Sequence, residues 1–241
     1  DNCSATYSIS YSPATPTNAT ETNASGQYPL GVTIVTYSVE DGCGNANSCS
    51  FTVTVTDDED PVISCPPSLT VACETDTLPV LTTYAAFVAE GGEAMDNDGI
   101  DTSSFRLSGY SKVGTCPTTI TRTYYIADMI GNSATCVQTI TVSDTTRPTF
   151  TRPDDITIYT DANCNYDASV SVTGDVTDES DNCSTNLNAI YSDAIADGDC
   201  EGTKVITRTW SLADKCGNRA ADQVQTITVS DTTRPTFTRP D

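Results

Sequence analysis

The chain has 241 residues and a formal net charge of −22, because 33 acidic residues outnumber 11 basic ones, and it contains no histidine. This charge argues against nucleic acid and against anionic membrane surfaces as partners, since both would repel it. Without histidine there is no Ser-His or Cys-His nucleophile system, so the composition predicts a protein that is not an enzyme and has no catalytic residues. The chain also lacks the run of about 18 apolar residues that direct membrane insertion requires.

The cysteine content indicates the compartment. Eleven cysteines in a chain of this size are typical of an oxidising environment and predict an extracellular, cell-surface or secreted protein. No signal peptide is recognisable, and the first repeat described below starts part-way through its pattern. We therefore expect this sequence to be a piece of a longer exported chain, whose export signal and anchor lie elsewhere.

One 18-residue segment occurs twice and defines the organisation of the chain. Val137–Asp154 and Val224–Asp241 are identical and begin 87 residues apart, and Ser50–Pro61 is a degenerate third copy. Identity at a fixed offset indicates a tandem array, and a unit of this size can just bury a core of its own. We predict a repeat without its first strands at 1–60, complete repeats at 61–147 and 148–234, and the start of a further repeat at 235–241.

The first repeat ends in a hairpin signal. Residues 33–39 alternate between apolar and polar, residues 41–45 read Asp-Gly-Cys-Gly-Asn, which is turn chemistry, and residues 51–55 alternate again. The second and third repeats have the same ending. A large aromatic residue stands at one strand position in each repeat, namely Tyr37, Tyr124 and Trp210. We predict that these rings are central core residues that pack the last hairpin against a facing sheet.

The strand pattern sets the fold class. No segment sustains a 3.6-residue apolar period, so we predict an all-β fold of tandem immunoglobulin-like β-sandwich domains. The linkers between repeats are about four residues long and end in proline, at Pro61, Pro148 and Pro235. Proline holds the preceding residue extended, and short stiff joints favour an extended rod over a flexible string.

Comparison of the repeats predicts disulfides, because a bond needs both of its cysteines. The middle repeat has Asp98 and Ile130 where the others carry cysteines in Asp-Asn-Cys and Cys-Gly-Asn motifs, so those two cysteines are expected to pair with each other. The third repeat likewise has Arg152 and Gln223 in place of a second pair. The predicted bonds are Cys3–Cys43, Cys65–Cys136, Cys73–Cys116, Cys164–Cys200 and Cys183–Cys216, and Cys49 is expected to be unpaired. Redox-active or metal-binding cysteines are the alternative, which the lack of a C-x-x-C motif disfavours.

Three acidic positions recur in every repeat. They are Asp1, Asp96 and Asp181 before an asparagine; Asp41, Asp128 and Asp214 before a Gly-Asn turn; and Asp57, Asp144 and Asp231 after the last strand. Clustered carboxylate oxygens are ligands for Ca²⁺, and an ion at each joint would stiffen a rod. The alternative is that these aspartates and asparagines only cap turns.

The strongest single candidate for a metal site is the loop at 96–101, which reads Asp-Asn-Asp-Gly-Ile-Asp. It lies in the second repeat, which has Asp98 and Ile130 where the other repeats have cysteines. It offers three carboxylates around a glycine turn, although its spacing differs from that of an EF-hand loop. Calcium is the one cofactor that the sequence suggests. The predicted ligands are Asp57, Asp96, Asp98, Asp101, Asp128, Asp144 and Asp231.

These motifs resemble hyalin-repeat domains and related immunoglobulin-like repeats of bacterial surface proteins. The resemblance lies in the Asp-Asn-Cys motifs at 1–3 and 181–183, in Pro-Leu-Gly-Val-Thr at 29–33 before VTYSVED, and in TVTVTDDEDPVISCP ending at Pro66. It implies an immunoglobulin-type sandwich and a role in adhesion. Near-identical arrays of this kind are similar to those of giant cell-surface adhesins of gliding or filament-bearing Bacteroidota. In such bacteria an Asp-Thr triplet resembles an O-glycosylation motif, which marks Thr77, Thr145 and Thr232 as candidates.

The sequence therefore favours the repeat shaft of an extracellular filament or giant surface adhesin, whose partners are neighbouring repeats or subunits of the same fibre and, at the surface, glycans or other cells. The alternative is a Ca²⁺-dependent carbohydrate- or protein-binding module of a secreted multidomain protein. A further possibility is that residues 235–241 complete the first repeat of another subunit by strand addition. We favour one continuous chain, since the residue facing Cys49 would then be Arg239.

Overall fold

The computed structural model describes residues 5–237. Strands β1–β6 are Ala5–Ser12, Gly31–Asp41, Ala46–Val55, Val62–Ser64, Leu69–Val71 and Glu93–Met95. Strands β7–β13 are Ile100–Val113, Thr118–Asp128, Ser133–Val142, Ile156–Tyr159, Ile190–Asp197, Lys204–Ser211 and Gln223–Ser230. Two short helices, α1 and α2, are Tyr84–Ala89 and Val170–Thr173, and a 3₁₀ turn is formed by Glu74–Asp76. The predicted all-β fold is confirmed.

The sheets follow one plan. The strand orders are β1-β2-β3, β4-β6, β5-β9-β8-β7 and β10-β13-β12-β11. In the third repeat the short β10 pairs in parallel with β13, while β13, β12 and β11 pair antiparallel. The short β5 likewise pairs in parallel with β9 in the second repeat, and β1, β2 and β3 pair antiparallel in the first. Each repeat thus ends in the hairpin that the alternating pattern predicts.

The chain divides into two compact units. The first takes in the chain up to residue 64 together with 94–105 and 125–135, and the second takes in 65–93, 106–124 and the chain from residue 136. The predicted repeat boundaries at 60, 147 and 234 stay a prediction. No helix among the described residues is long and apolar enough to cross a membrane.

The core of the third repeat comes from alternate residues of β12 and β13. Ile206 and Ile227 are almost fully buried and pack with Ile158 of β10. Trp210 is fully buried with Leu212, and its indole nitrogen donates to Gln225 Oε1 at 3.3 Å. The period-2 alternation of the two strands therefore turns one face of the hairpin into the core.

A buried arginine holds helix α2 against the same hairpin. Arg208 lies between Ile206 and Trp210 on the inner face of β12, and its guanidinium donates to both carboxylate oxygens of the cross-strand Asp193 at 2.8 Å. It also donates to Thr173 Oγ1 and to the carbonyl of Ala168. These charge-assisted bonds raise the pKa of Arg208, mainly through Asp193, and keep a buried charge paired.

Helix α1 is one element that the apolar pattern does not predict. Thr83 caps it, since its side chain accepts a hydrogen bond from the Ala86 amide. Its one buried residue, Phe87, packs edge-on against Tyr124, with ring centroids 5.6 Å apart. Only six residues long, the helix has too few turns to show a helical period.

The recurrent aromatic position is core in two repeats. Tyr124 and Trp210 are fully buried, as predicted, whereas the ring of Tyr37 is 36% exposed and stacks on Phe51 at 6.1 Å. In the first repeat the inward-facing core of the sheet is Ile9, Thr33 and Val35. The prediction of a central core role is therefore wrong for Tyr37: it lies on the same inward face as Val35, but at the end of that face where Val39 is also exposed.

Candidate metal centres

Two groups of three aspartates each bring one carboxylate oxygen to within 4.8 Å of the other two. The first trio is Asp57, Asp96 and Asp128, and the second trio is Asp144, Asp181 and Asp214. Each takes one residue from the linker after a last strand, one from an Asp-Asn motif and one from a hairpin turn. The three positions that recur in the sequence thus meet at one point, with the linker aspartate of one repeat facing two aspartates of the next.

The hairpin turn fixes its aspartate by a set of local hydrogen bonds. Asp128 Oδ1 accepts from the amides of Ile130 and Asn132, at 2.8 and 2.9 Å, while the Asn132 side chain donates to Asp128 Oδ2 at 2.8 Å. Asn218 repeats the arrangement on Asp214. Burial alone would raise the pKa of Asp128, but the bonds from the Gly131 amide and Asn132 outweigh it and lower the pKa. The carboxylate therefore stays ionised.

The same asparagines hold the linkers. The Asn218 side chain donates to the backbone carbonyl of Asp144 at 3.0 Å, and Asn132 donates to that of Asp57 at 3.4 Å. The amide of Thr146 binds Asp144 Oδ1 at 2.9 Å. Each linker is thereby tied to the turn of the following repeat, which places the linker carboxylate beside the other two.

Each trio also leaves carboxylate oxygens buried without a partner. Asp144 is 6% exposed, and while its Oδ1 accepts a hydrogen bond, its Oδ2 is buried and has none. Asp181 uses Oδ2 for the amides of Cys183 and Ser184 and leaves Oδ1 buried and unpaired. In the first trio Asp57 Oδ2 is in the same state. A buried anionic oxygen with no donor is costly, so these atoms point to a cation.

Three predicted ligands lie outside the trios. Asp98 lies beside the first trio, because its amide donates to Asp96 Oδ1 at 2.9 Å, and partial desolvation together with the charge of Asp57 raises the pKa of its carboxyl. Asp101 accepts from the hydroxyl and the amide of Ser103 at 2.6 and 2.9 Å, which lowers its pKa and occupies it as a turn residue. Asp231 accepts from the amide of Thr233, and no trio forms around it among residues 5–237. The second trio also contains Asp181 and Asp214, which are not among the predicted ligands. Both stand at acidic positions that recur in every repeat.

The structure pairs the cysteines differently from the prediction. It contains the predicted Cys65–Cys136 bond, with Cα atoms 5.5 Å apart. The predicted bonds Cys73–Cys116 and Cys183–Cys216 are replaced by Cys73–Cys183 and Cys116–Cys216, with Cα separations of 5.1 and 5.0 Å. We call these two the clamp disulfides. They join the predicted second repeat to the predicted third.

The cysteines pair across the joint because those of the second repeat and those of the third lie at the two ends that meet there. Cys73 follows β5, and Cys116 lies in the turn between β7 and β8. Cys183 follows Asp181 by two residues, and Cys216 follows Asp214 by two. The four cysteines line one cavity of about 150 Å³, which Asp144 and Lys215 also line. The clamp disulfides therefore sit beside the second trio, on the two loops that supply its ligands.

The other cysteines are free among the described residues. Cys164 and Cys200 are both exposed and unbonded, so the predicted Cys164–Cys200 bond is absent. Cys43 and Cys49 are also exposed and free. The predicted partner of Cys43, Cys3, lies outside the described residues, as does Asp1.

The three candidate glycosylation sites differ in exposure. Thr145 and Thr232 are exposed, each directly after the linker aspartate of its repeat. Thr77 is half-buried, and its hydroxyl donates to the carbonyl of Glu74 at 2.9 Å. Modification at these residues stays a prediction.

The first hairpin turn allows a test of how these turns hold an aspartate charged. Hydrogen bonds from the side chain and then the amide of Asn45, with that of the Cys43 amide, lower the pKa of Asp41. A depressed folded pKa stabilises the fold above the unfolded value of about 3.9, and this stabilisation is lost as the pH falls through the folded pKa. We expect Asn45→Ala to raise the pKa of Asp41 toward its ordinary value, as followed by carboxyl NMR.

Asp161 supplies the control for that titration. Its carboxylate is held in the same way by the Asn165 and Asn163 amides and the Asn165 side chain, which lower its pKa. Its titration should not change in Asn45→Ala. An unaltered Asp41 curve in that variant would contradict the assignment of the shift to the turn.

Comparisons with known proteins agree with the hyalin-repeat resemblance. Residues 11–55 match the family model described as HYR domain. Hyalin of Strongylocentrotus purpuratus is 36% identical over 144 residues, which are 56% of this chain and 11% of hyalin. The chain thus spans about a tenth of the length of the curated relative that it matches. The bacterial origin that the resemblance implied stays a prediction.

Solved structures with a similar arrangement include cadherin repeats. Drosophila N-cadherin EC1-3 is 13% identical with a TM-score of 0.34, covering 94% of this chain and 89% of that one. Human CDH23 EC21-23 is 15% identical with a TM-score of 0.32 and the same coverage. Similarity at this level carries no conclusion about what the chain does.

The predicted location is confirmed. Three disulfides lie within residues 5–237, and disulfides of this kind persist in oxidising, extracytoplasmic compartments. Together with the HYR match, they identify the chain as an extracellular protein.

Proposed function

We propose that this chain is part of the repeat shaft of an extracellular adhesive fibre or surface protein, and that its acidic trios bind Ca²⁺ at the joints between repeats. The single observation that carries the proposal is the convergence of three carboxylates at each of two joints, with one ligand from the linker and two from the next repeat. An ion held in this way ties consecutive repeats together, which is the work of a shaft.

Calcium is the cation that the donor set fits best. All three side chains of each trio offer carboxylate oxygens, which are hard ligands, and the second trio has two buried oxygens that nothing else occupies. Neither trio includes a histidine or a cysteine ligand, the donors that zinc and copper sites favour. A divalent cation would also neutralise the mutual repulsion of three carboxylates in a chain whose net charge is −22.

Restriction of the joints supports the mechanical part of the proposal. The linker carbonyls of Asp57 and Asp144 accept hydrogen bonds from the next hairpin turn. The second joint also carries the clamp disulfides. A joint with a short linker, an ion and covalent cross-links resists bending and proteolysis. The partners are then neighbouring repeats of the same fibre, as in the predicted surface adhesin, and Thr145 and Thr232 are open to glycosylation.

The test is a calcium titration of the whole chain after treatment with a chelator. We expect calorimetry to detect two Ca²⁺ ions per chain, one for each trio, and the midpoint of thermal unfolding to rise with calcium. At a free concentration of 100 times the Kd, one site adds about 2.7 kcal/mol to the free energy of unfolding. Asp144→Asn keeps the shape of the side chain but removes its charge, and it should abolish one of the two sites.

Asp231→Asn is the matched control, because Asp231 occupies the same place in the identical 18-residue segment but has no trio around it among the described residues. Its stoichiometry should remain two. Absence of calcium binding, or equal losses in the two variants, would contradict the proposal. Specific retention of the chain by a glycan array only when calcium is present would favour the alternative, a carbohydrate-binding module.

A further inference from the structure

The third repeat carries cysteines at the same two places as the second repeat, at the end of the domain from which the linker leaves. Cys200 lies in the turn between β11 and β12, as Cys116 lies in the turn between β7 and β8. Cys164 follows β10 as Cys73 follows β5. In the second repeat, Cys73 and Cys116 each form one of the clamp disulfides with the third repeat. Cys164 and Cys200 are exposed and free.

The acidic part of the joint is also present at that end. Asp231 follows β13 as Asp144 follows β9. A Cβ built on Gly202, two residues after Cys200, would lie 3.9 Å from both Asp231 Oδ2 and Cys164 Sγ. The linker carboxylate, one free cysteine and the turn that carries the other therefore lie side by side, as they do in the cavity at the second trio.

The first hairpin of the chain offers the complementary half. Cys43 follows Asp41 by two residues, as Cys216 follows Asp214. The two turns share their hydrogen bonds: the Gly44 and Gly217 amides each donate to the aspartate carbonyl at 3.2 Å. Asn45 and Asn218 bind the two carboxylates alike, with side-chain distances of 2.8 and 2.7 Å. Cys43 thus lies on the same type of turn as Cys216, which bonds to the preceding repeat. Cys43 is exposed and has no disulfide partner among residues 5–237.

We propose that Cys200 is a covalent docking site for a turn of the Cys43 type on another repeat of this kind, and that a second copy of the chain can supply that turn. The bond is the equivalent of Cys116–Cys216, and Asp231 of the first copy would then face Asp41 of the second. Because the two surfaces differ, copies joined in this way are arranged head-to-tail and form an open series rather than a closed dimer. This inference does not depend on calcium binding.

The chemistry is thiol–disulfide exchange with a small-molecule disulfide such as oxidised glutathione. The Cys200 thiolate attacks the disulfide, one glutathione leaves as a thiolate, and a mixed disulfide forms. The Cys43 thiolate then attacks the protein sulfur of that mixed disulfide and releases the second glutathione. Two protein thiols are oxidised to one disulfide, and oxidised glutathione is reduced to two thiols.

The experiment compares the whole chain and two exposed-site variants in a glutathione redox buffer, followed by non-reducing electrophoresis and peptide mapping by mass spectrometry. The wild type should form a ladder that contains the Cys43–Cys200 linked peptide. Cys43→Ser and Cys200→Ser should each lack that peptide when incubated alone. A mixture of the two variants should restore it in a dimer, because each supplies the cysteine that the other lacks.

Cys49→Ser is the control, since Cys49 is equally exposed and free but lies outside any turn of this type. It should polymerise like the wild type. Far-UV circular dichroism would verify that all variants remain folded. Finding Cys200 bonded to Cys164 within one chain, or Cys43 bonded mainly to cysteines other than Cys200, would overturn the proposal. So would a ladder that depends on Cys49 as strongly as on Cys43.

Discussion

Loss of the clamp disulfides should be among the most damaging changes to this protein. Replacement of Cys116 and Cys216 by serine is expected to lower the free energy of unfolding by about 4 kcal/mol, because the bond closes a loop of 100 residues in the unfolded chain. The Cys73–Cys183 bond, which spans 110 residues, should contribute a similar amount when removed alone. Denaturant titrations of the oxidised variants and the wild type would measure both.

A second effect of the clamp concerns the second trio. Asp181 and Asp214 each stand two residues before a clamp cysteine, so opening the bonds frees both ligand loops. On the proposed function, calcium affinity at this site should fall by about 10-fold or more, as is typical when the groups that orient metal ligands are removed. The first trio has Asp98 and Ile130 at the corresponding positions, and its affinity should not change.

The Cys65–Cys136 bond provides the matched control. It closes a loop of 71 residues, so its removal should cost stability of the same order. Because neither cysteine belongs to a loop that carries a trio ligand, calcium affinity should remain that of the wild type. A loss of affinity as large as that of the clamp variants would show that general destabilisation, rather than the clamp, governs the site.

The disulfides also show where comparison of repeats succeeds and where it fails. The joint absence of two cysteines, at Asp98 and Ile130, predicts the loss of one bond within a repeat. In the structure their equivalents Cys183 and Cys216 bond to the preceding repeat instead. The sequence does contain a signal for bonds between repeats. Residues 13–31 of the first repeat, which include the position equivalent to Cys116, lack cysteines, and so do the positions of Asp98 and Ile130 in the repeat that follows. Cysteines at the trailing end of one repeat are matched by those at the leading end of the next.

The trios are more accessible to sequence analysis, because each ligand occupies a recurring position and the turn chemistry of Asp-x-x-Gly-Asn is local. Loop 96–101 misleads for the same reason: Asp101 has the right residue type, but its side chain is satisfied by Ser103 two residues on. Strands are predictable from alternation. Helices α1 and α2 are not, since six and four residues are too few to show a period, and tertiary contacts such as Phe87 on Tyr124 decide them.

The second large effect is expected at the recurrent aromatic position. Trp210→Ala should lower the free energy of unfolding by about 4 kcal/mol, because the fully buried indole leaves a cavity that the surrounding β-sheet cannot fill. The change also strands Gln225 Oε1, which accepts from the indole, and removes the ring packed at 5.0 Å on Tyr191. Thermal and denaturant unfolding of the variant would measure the loss.

Tyr37→Ala tests whether burial or repeat position determines that cost. Tyr37 stands at the same place in its hairpin but is 36% exposed and retains one stacking neighbour, Phe51. We expect a loss of about 1–2 kcal/mol, since less apolar surface returns to water and the space left is open to solvent. Equal losses at the two positions would imply that the end of the inward sheet face that carries Tyr37 is covered in solution. The difference between the Trp210→Ala and Tyr37→Ala losses therefore measures how completely strands β1–β3 bury this aromatic position in the first repeat.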